Sequence, residues 1–205
     1  MARCDWLASL KRSISPLHLS RRRQKLQSLN TGPLPLETRT LPSVTPFATE
    51  FQVNTYTTNF QTDPKIAMDA GGDYVIVWRS HLQDGTSGGI YAQRFAPSGK
   101  AVGTEFRVNS TVTSNQTSPV VAMDDAGNFV VVWTSGGGQD GSNYGIYAQR
   151  YNASGVAQGS EFRVNTYVTN SQTSPDVAMD ADGDFVVVWQ SYGQDGGAYG
   201  VYGQR

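Results

Sequence analysis

At 205 residues the chain is long enough for one or two ordinary domains, and its net charge of −1 is unevenly spread: residues 1–50 carry eight Lys or Arg against three Asp or Glu, residues 51–205 eight against fourteen. A basic head without interleaved aromatics on an acidic body that repels phosphate excludes a nucleic-acid binder. No apolar run approaches the ~20 residues of a membrane-spanning helix, and a single cysteine, Cys4, excludes an internal disulfide and a thiolate metal site.

Residues 1–49 read as a basic N-terminal leader. Pro16, Gly32, Pro33 and Pro35 interrupt the helix-compatible spacing of residues 5–30, so this stretch is expected to be mostly disordered. It lacks the ~7–15-residue apolar segment of a Sec signal peptide. Arg21-Arg22-Arg23-Gln24-Lys25-Leu26 is followed by Leu36-Glu37-Thr38-Arg39-Thr40-Leu41-Pro42-Ser43. Together they resemble the basic Leu-Glu-x-Arg-x-Leu leader of large exported proteins of planctomycete-type bacteria, with Thr38 and Pro42 departing from the commoner form. The resemblance implies a secreted or cell-surface location; a solvated basic tail with no address is the alternative.

From residue 50 the chain repeats itself. Glu50-Phe51-Gln52-Val53-Asn54 recurs as Glu105-Phe106-Arg107-Val108-Asn109 and Glu161-Phe162-Arg163-Val164-Asn165, at spacings of 55 and 56, and Trp78, Trp133 and Trp189 keep the same spacings. A fixed period of this length marks one supersecondary unit copied in tandem, each copy burying its apolar faces against the next. The repeat domain is therefore 50–205, with copies at 50–104, 105–160 and 161–205.

Within the second copy, Val120 to Met123 is a short apolar run, Asp124-Asp125-Ala126-Gly127-Asn128 a turn, and Phe129-Val130-Val131-Val132-Trp133 a β-prone run. A Gly-rich loop, Gly136 to Gly145, leads to Ile146–Tyr151, and a second turn at Asn152–Gly155 precedes Glu161–Val164. The unit thus predicts four short antiparallel strands and no helix. Because Phe129–Trp133 and its counterparts Tyr74–Trp78 and Phe185–Trp189 are apolar on both faces, each sheet needs cover on both sides. Stacked four-stranded sheets of this kind are the blades of a β-propeller; a β-solenoid is the alternative. Closed propellers need about four to eight blades, so three copies imply either an open array or closure by self-association. The order of pieces, beginning with a fourth strand (Phe51 to Asn54) and reaching a third (Val201 to Arg205), fits both.

Two sets of side chains are candidate sites. Asp180-Ala181-Asp182-Gly183-Asp184 places carboxylates at alternate positions, as calcium loops do, so Asp180, Asp182 and Asp184 are the candidate metal ligands and calcium the cofactor they would take. A hairpin turn built on Asp and Gly accounts for the same residues. The loops repeat Gln-Asp-Gly at Asp84, Asp140 and Asp195, followed by Tyr144 and Tyr199 in two copies. These five residues suit a small-molecule or sugar site with stacked tyrosines, and loop-turn chemistry suits the aspartates equally. The three tryptophans, each closing an apolar run at one register, are expected in the core.

No catalytic residue is identified. Gly85-Thr86-Ser87-Gly88-Gly89 spells a hydrolase nucleophile turn, but a strand follows it and its register holds Asn143 and Ala198 in the other copies. His81, the one histidine of the repeats, is not repeated, and the chain is expected not to be an enzyme. Residues 50–205, from Glu161–Asn165 through Gln172–Met179 to Asp182–Ser191, resemble the tandem repeat of very large bacterial secreted and surface proteins. That resemblance implies a non-catalytic exported module for cell-surface structure or adhesion, with self-association through open sheet edges or further repeats. A lectin-like propeller binding surface glycans is one alternative. A sialidase-like glycosidase is another, weakened by the lack of a single, unrepeated carboxylate pair.

Overall fold

The computed structural model describes residues 49–205; the leader with Cys4, Arg21–Lys25 and Leu36–Ser43 lies outside the described residues. Among the described residues there are eleven strands and no helix. Strands β1 (Gln61–Met68), β2 (Tyr74–His81), β3 (Gly88–Phe95) and β4 (Ala101–Arg107) form the first antiparallel sheet, in chain order. The second contains β5 (Gln116–Met123), β6 (Phe129–Gly136), β7 (Tyr144–Tyr151) and β8 (Phe162–Arg163). The third has β9 (Gln172–Met179), β10 (Phe185–Tyr192) and β11 (Tyr199–Gln204), with β10 central. The first strands β1, β5 and β9 lie beside one another, so the sheets follow each other as propeller-like blades. Phe106 and Phe162 end the sheet before them rather than opening the next one.

The pleat explains why the sheets stack. In β6, side chains alternate faces, so Phe129, Val131 and Trp133 point one way and Val130 and Val132 the other. The first trio packs with Val75, Val77, Ile90, Ala92 and Val108 of the first sheet. The valine pair, with Ile146, Ala148 and Val164, packs against Val187 and Trp189 of the third. The middle strand of the middle sheet is therefore buried along its whole length, and all three repeated tryptophans are core residues. At the outer face of the third sheet the counterparts of Val130, Val132 and Ile146 are uncovered: Val186 and Val188 are each 41% exposed and Val201 80%.

Each innermost strand carries the same distortion. Asp63, Ser118 and Ser174 have positive φ (55°, 52° and 54°), and the pairing register slips beside each of them. A proline follows every time (Pro64, Pro119, Pro175), and having no N–H it sits without loss where the ladder is interrupted. The bulge lets β1, β5 and β9 bend and twist while their far ends, Gln61, Gln116 and Gln172, stay paired.

Replacing Trp133, fully buried between the first two sheets, by alanine is expected to cost about 3–5 kcal/mol of unfolding free energy. Val102→Ala, on the exposed β4, should stay within about 1 kcal/mol. Urea titration of the two variants measures both.

Candidate functional site

The residues that recur most strictly meet at the joint between consecutive repeats. The asparagine that ends each Glu-Phe-x-Val-Asn motif extends the fourth strand by means of its side chain. The Oδ1 of Asn109 accepts the amide of Ile90 at 2.7 Å, and that of Asn165 accepts the amide of Ile146 at 2.7 Å. Next to these, the Val108 and Val164 amides donate to the carbonyls of the same two residues at 2.8 Å. Each Asn Nδ2 donates onward into its linker, to Thr111 O and Tyr167 O, both at 2.8 Å, and Asn165 also reaches Gln172 Oε1 at 3.1 Å. Gln116 and Gln172, fully buried at the start of their sheets, donate back to linker carbonyls.

The glutamate of the motif reaches in the other direction. Glu105 Oε2 accepts the Thr55 amide at 2.6 Å and the Thr55 hydroxyl at 2.9 Å, while its Oε1 accepts from Gln83 Nε2 at 2.5 Å. One repeat later Glu161 does the same with the Ser110 amide (2.6 Å), the Ser110 hydroxyl (2.9 Å) and Gln139 Nε2 (2.5 Å). The phenylalanine closes the joint: Phe106 tilts against Tyr151 with ring centroids 5.4 Å apart, and Phe51 against Phe95 at 5.5 Å.

The loop aspartates proposed for ligand binding support this joint. Asp84 Oδ1 accepts the Thr86 amide at 3.1 Å, and the single proton of the Thr86 hydroxyl lies within reach of both Asp84 Oδ1 (2.9 Å) and Val112 O of the next linker. Asp140 Oδ1 accepts the Ser142 amide (3.0 Å), and Ser142 Oγ reaches Asn170 O at 3.3 Å. Asp195 makes the corresponding turn with Gly197, which has no hydroxyl to pass on. The second oxygens of Asp84 and Asp140 are buried without a partner among the described residues. They lie so close over the following strand that a Cβ on Gly145 would stand 2.6 Å from Asp140 Oδ2. Of the two tyrosines, Tyr144 bridges to Ser171 of the next linker, and Tyr199 packs edge-on against Tyr192 at 5.1 Å. The five residues are therefore spread over the β2–β3, β6–β7 and β10–β11 connections rather than gathered in one pocket.

The candidate calcium loop folds as a turn. Asp180 Oδ1 accepts the amides of Asp182 (3.1 Å) and Asp184 (2.9 Å), and Asp184 Oδ2 pairs with Arg205 at 3.0 Å in the open. Asp124 does the same for Ala126 and Asn128. Among the described residues no cluster of three or more His, Cys, Asp or Glu side chains is placed to hold a metal. The Gly-x-Ser-x-Gly stretch runs straight into β3, with no helix after it.

At the turn end, a cleft opens between each pair of sheets. One of about 160 Å3 is lined by Asp69, Tyr74, Arg94 and Phe95 among others. One of about 360 Å3 is lined by Asp124, Arg150, Tyr151, Gln158 and Asp182 among others. Both juxtapose a carboxylate, a guanidinium and an aromatic ring. Each cleft sets a turn acid and an arginine of one copy, at positions that recur as Asp69, Asp124 and Asp180 and as Arg94, Arg150 and Arg205, against turn residues of the next, Ala126 and Gly127 or Asp182 and Gly183.

Three tyrosines are held neutral. Tyr91 is pushed up to about 12, chiefly by burial and then by the Asp84 carboxylate. Tyr147 is raised by burial and by Asp140, and Tyr151 by burial with a smaller effect of Glu161.

No family model and no curated protein matches the chain. Among solved structures it is similar to an endo-arabinase from Bacteroides thetaiotaomicron VPI-5482 (16% identity, TM-score 0.44, 70% of this chain and 55% of that one). It is likewise similar to a Hadza microbial sialidase (11%, 0.48, 69% and 37%) and to an endo-1,4-beta-xylanase from Bacteroides thetaiotaomicron VPI-5482 (10%, 0.46, 78% and 59%). The chain thus spans little more than half the length of these structures, or less. The expectation that the chain is not an enzyme is corrected by this finding, since these structures bear the names of glycan-cleaving enzymes. That expectation rested on the unrepeated His81, on a nucleophile turn without its structural context and on the lack of a recognisable unrepeated carboxylate pair, yet sequence spacing alone does not reveal a site assembled once on a repeated scaffold. At these identities and TM-scores the likeness assigns no reaction to the chain.

Asn165→Ala leaves the buried Ile146 amide without its acceptor and is expected to cost about 1–3 kcal/mol, read from the urea midpoint. Alkaline pH tests the tyrosines. Unfolded phenols ionise near pH ~10 whereas Tyr91 holds its proton to about 12. The stability it lends is complete below pH ~10 and declines as pH rises from there toward 12. Between pH 9 and 11 the Tyr91→Phe variant should therefore lose less stability than the parent chain; equal losses would count against the assignment.

Proposed function

We propose that the chain is an exported β-repeat module that serves cell-surface structure or adhesion. The observation that carries this reading is the repeated joint: Glu105 and Glu161, Asn109 and Asn165, and the loop residues Asp84 and Asp140 all serve to couple one repeat to the next. A sequence selected for identical couplings builds a regular array, open or closed, and an array's work is done by the surface that it presents. The basic leader, with its resemblance to an export-associated segment, is consistent with a location outside the cytoplasm. The test is fractionation of cells expressing the full chain and a version lacking residues 1–49. The full chain is expected in the envelope or medium and the truncated one inside; equal retention of both within the cytoplasm would contradict the export reading.

A glycan-binding reading is favoured by one further feature, the repeated turn-end clefts. The exposed Arg150 and Asp182 offer hydrogen bonds beside the half-buried Phe185 ring, and a few convergent polar groups next to an aromatic surface suit a sugar. Calorimetry with neutral and acidic oligosaccharides should show binding that Arg150→Ala weakens, while Asp195→Ala, in an exposed loop at the other end of its sheet, leaves it unchanged. Indifference to Arg150→Ala would remove the cleft from consideration.

A further inference from the structure

The two internal joints supply a template for a third. In each, a Glu-Phe-x-Val-Asn segment lies along the outer edge of the third strand of a sheet, at β3 and at β7. The third sheet has the edge but no such segment among the described residues, because β11 pairs with β10 alone. Conversely, Glu50–Asn54 has the segment's sequence but pairs with no sheet.

We propose that the edge of β11 binds Glu50–Asn54 of a second copy of this chain, and that two copies joined head to tail in this way close a ring.

Segment and edge match residue by residue. The Val201 amide stands where Ile90 and Ile146 donate to Asn109 and Asn165, so it would donate to Oδ1 of the second copy's Asn54. The Val201 carbonyl would accept from Val53, as those of Ile90 and Ile146 accept from Val108 and Val164. Thr166 follows Asn165 as Thr55 follows Asn54 and Ser110 follows Asn109, so its amide and hydroxyl would donate to Glu50, and Gln194 would complete the set as Gln83 and Gln139 do.

The incoming segment is already shaped for the role. Asn54 Nδ2 donates to Tyr56 O at 2.7 Å, as its two counterparts do in their joints, and Phe51 rests on Phe95 with the tilt that Phe106 takes on Tyr151 (58° and 56°). Little ordering is left to be done on binding.

The faces behind the strands match too. Val186, Val188 and Val201 are exposed where Val130, Val132 and Ile146 are fully buried. On the first sheet, Ile76 and Trp78 face a gap of about 320 Å3 beneath Phe51–Asn54, at the register where Val131 and Trp133 receive the preceding sheet. A head-to-tail contact is heterologous and makes a ring only if its rotation closes. Two copies of the three sheets formed by the described residues give six, inside the range of about four to eight in closed propellers, and three copies exceed it.

The inference rests on the reading of the repeats as coupling units but not on export or glycan binding, so failure of those tests leaves it standing. Light scattering of the 205-residue chain over a concentration series should give a discrete dimer. Val201→Lys on the receiving edge and Asn54→Ala on the incoming segment should each weaken it about tenfold or more, with strand content by circular dichroism unchanged. Val156→Lys, at an exposed turn away from both surfaces, should leave the dimer intact. A monomer at every concentration, or a dimer indifferent to both Val201→Lys and Asn54→Ala, would overturn the docking. A polymer of steadily growing mass would overturn the two-copy closure.

Discussion

A strand that is apolar on both faces needs cover on both, and the rest of this molecule follows from that constraint. Phe129-Val130-Val131-Val132-Trp133 presents oily side chains in both directions, so its sheet is stable only with a sheet on each side. What fixes those sheets at one spacing is a small polar device, an asparagine side chain that takes the place of a backbone carbonyl. By accepting the Ile90 and Ile146 amides, Asn109 and Asn165 prolong the fourth strand by one hydrogen bond and then turn the chain into the next sheet. Hydrophobic burial provides most of the stabilisation and the asparagine provides register.

This arrangement bears directly on function. The acids that recur, Asp124 among them, are taken up by the joint or by turns, whereas some residues lining the turn-end clefts vary from copy to copy: Asn128 stands where the other copies have Asp73 and Asp184, and Asp182 where they have Gly71 and Ala126. Whatever distinguishes one array of such repeats from another is therefore sought among the unrepeated residues on the rims of these clefts. The joint sets how many surfaces are presented, and the clefts set what each can touch.

Much of the fold was legible in the sequence, because two periodicities coincide in it. The ~55-residue repeat defines the unit, and the apolar runs ending at Trp78, Trp133 and Trp189 mark the central strand of each sheet. The first strands were read short. The apolar run Val120–Met123 marks only the second half of β5, which begins at Gln116 and passes through Pro119. A proline argues against a strand unless a bulge accommodates it, and the bulge becomes visible only in the backbone angles. The site was less legible. Asp84, Asp140 and Asp195 stood out as ligand candidates through repetition, yet repetition reflected the same local turn made three times. The buried Asn and Gln network was spelled at fixed positions, Asn54, Asn109 and Asn165 with Gln61, Gln116 and Gln172. Polar residues held at one register of an apolar repeat are the signal that would have identified it.

The most direct test of this account is native-state hydrogen exchange at the Ile90 and Ile146 amides. If the asparagine side chains pin the fourth strands, both amides belong to the slowest class and exchange only when the whole repeat domain unfolds. Exchange on the timescale of loop amides such as Gly141 would show that the fourth strands detach freely, and would contradict the joint as the organising contact.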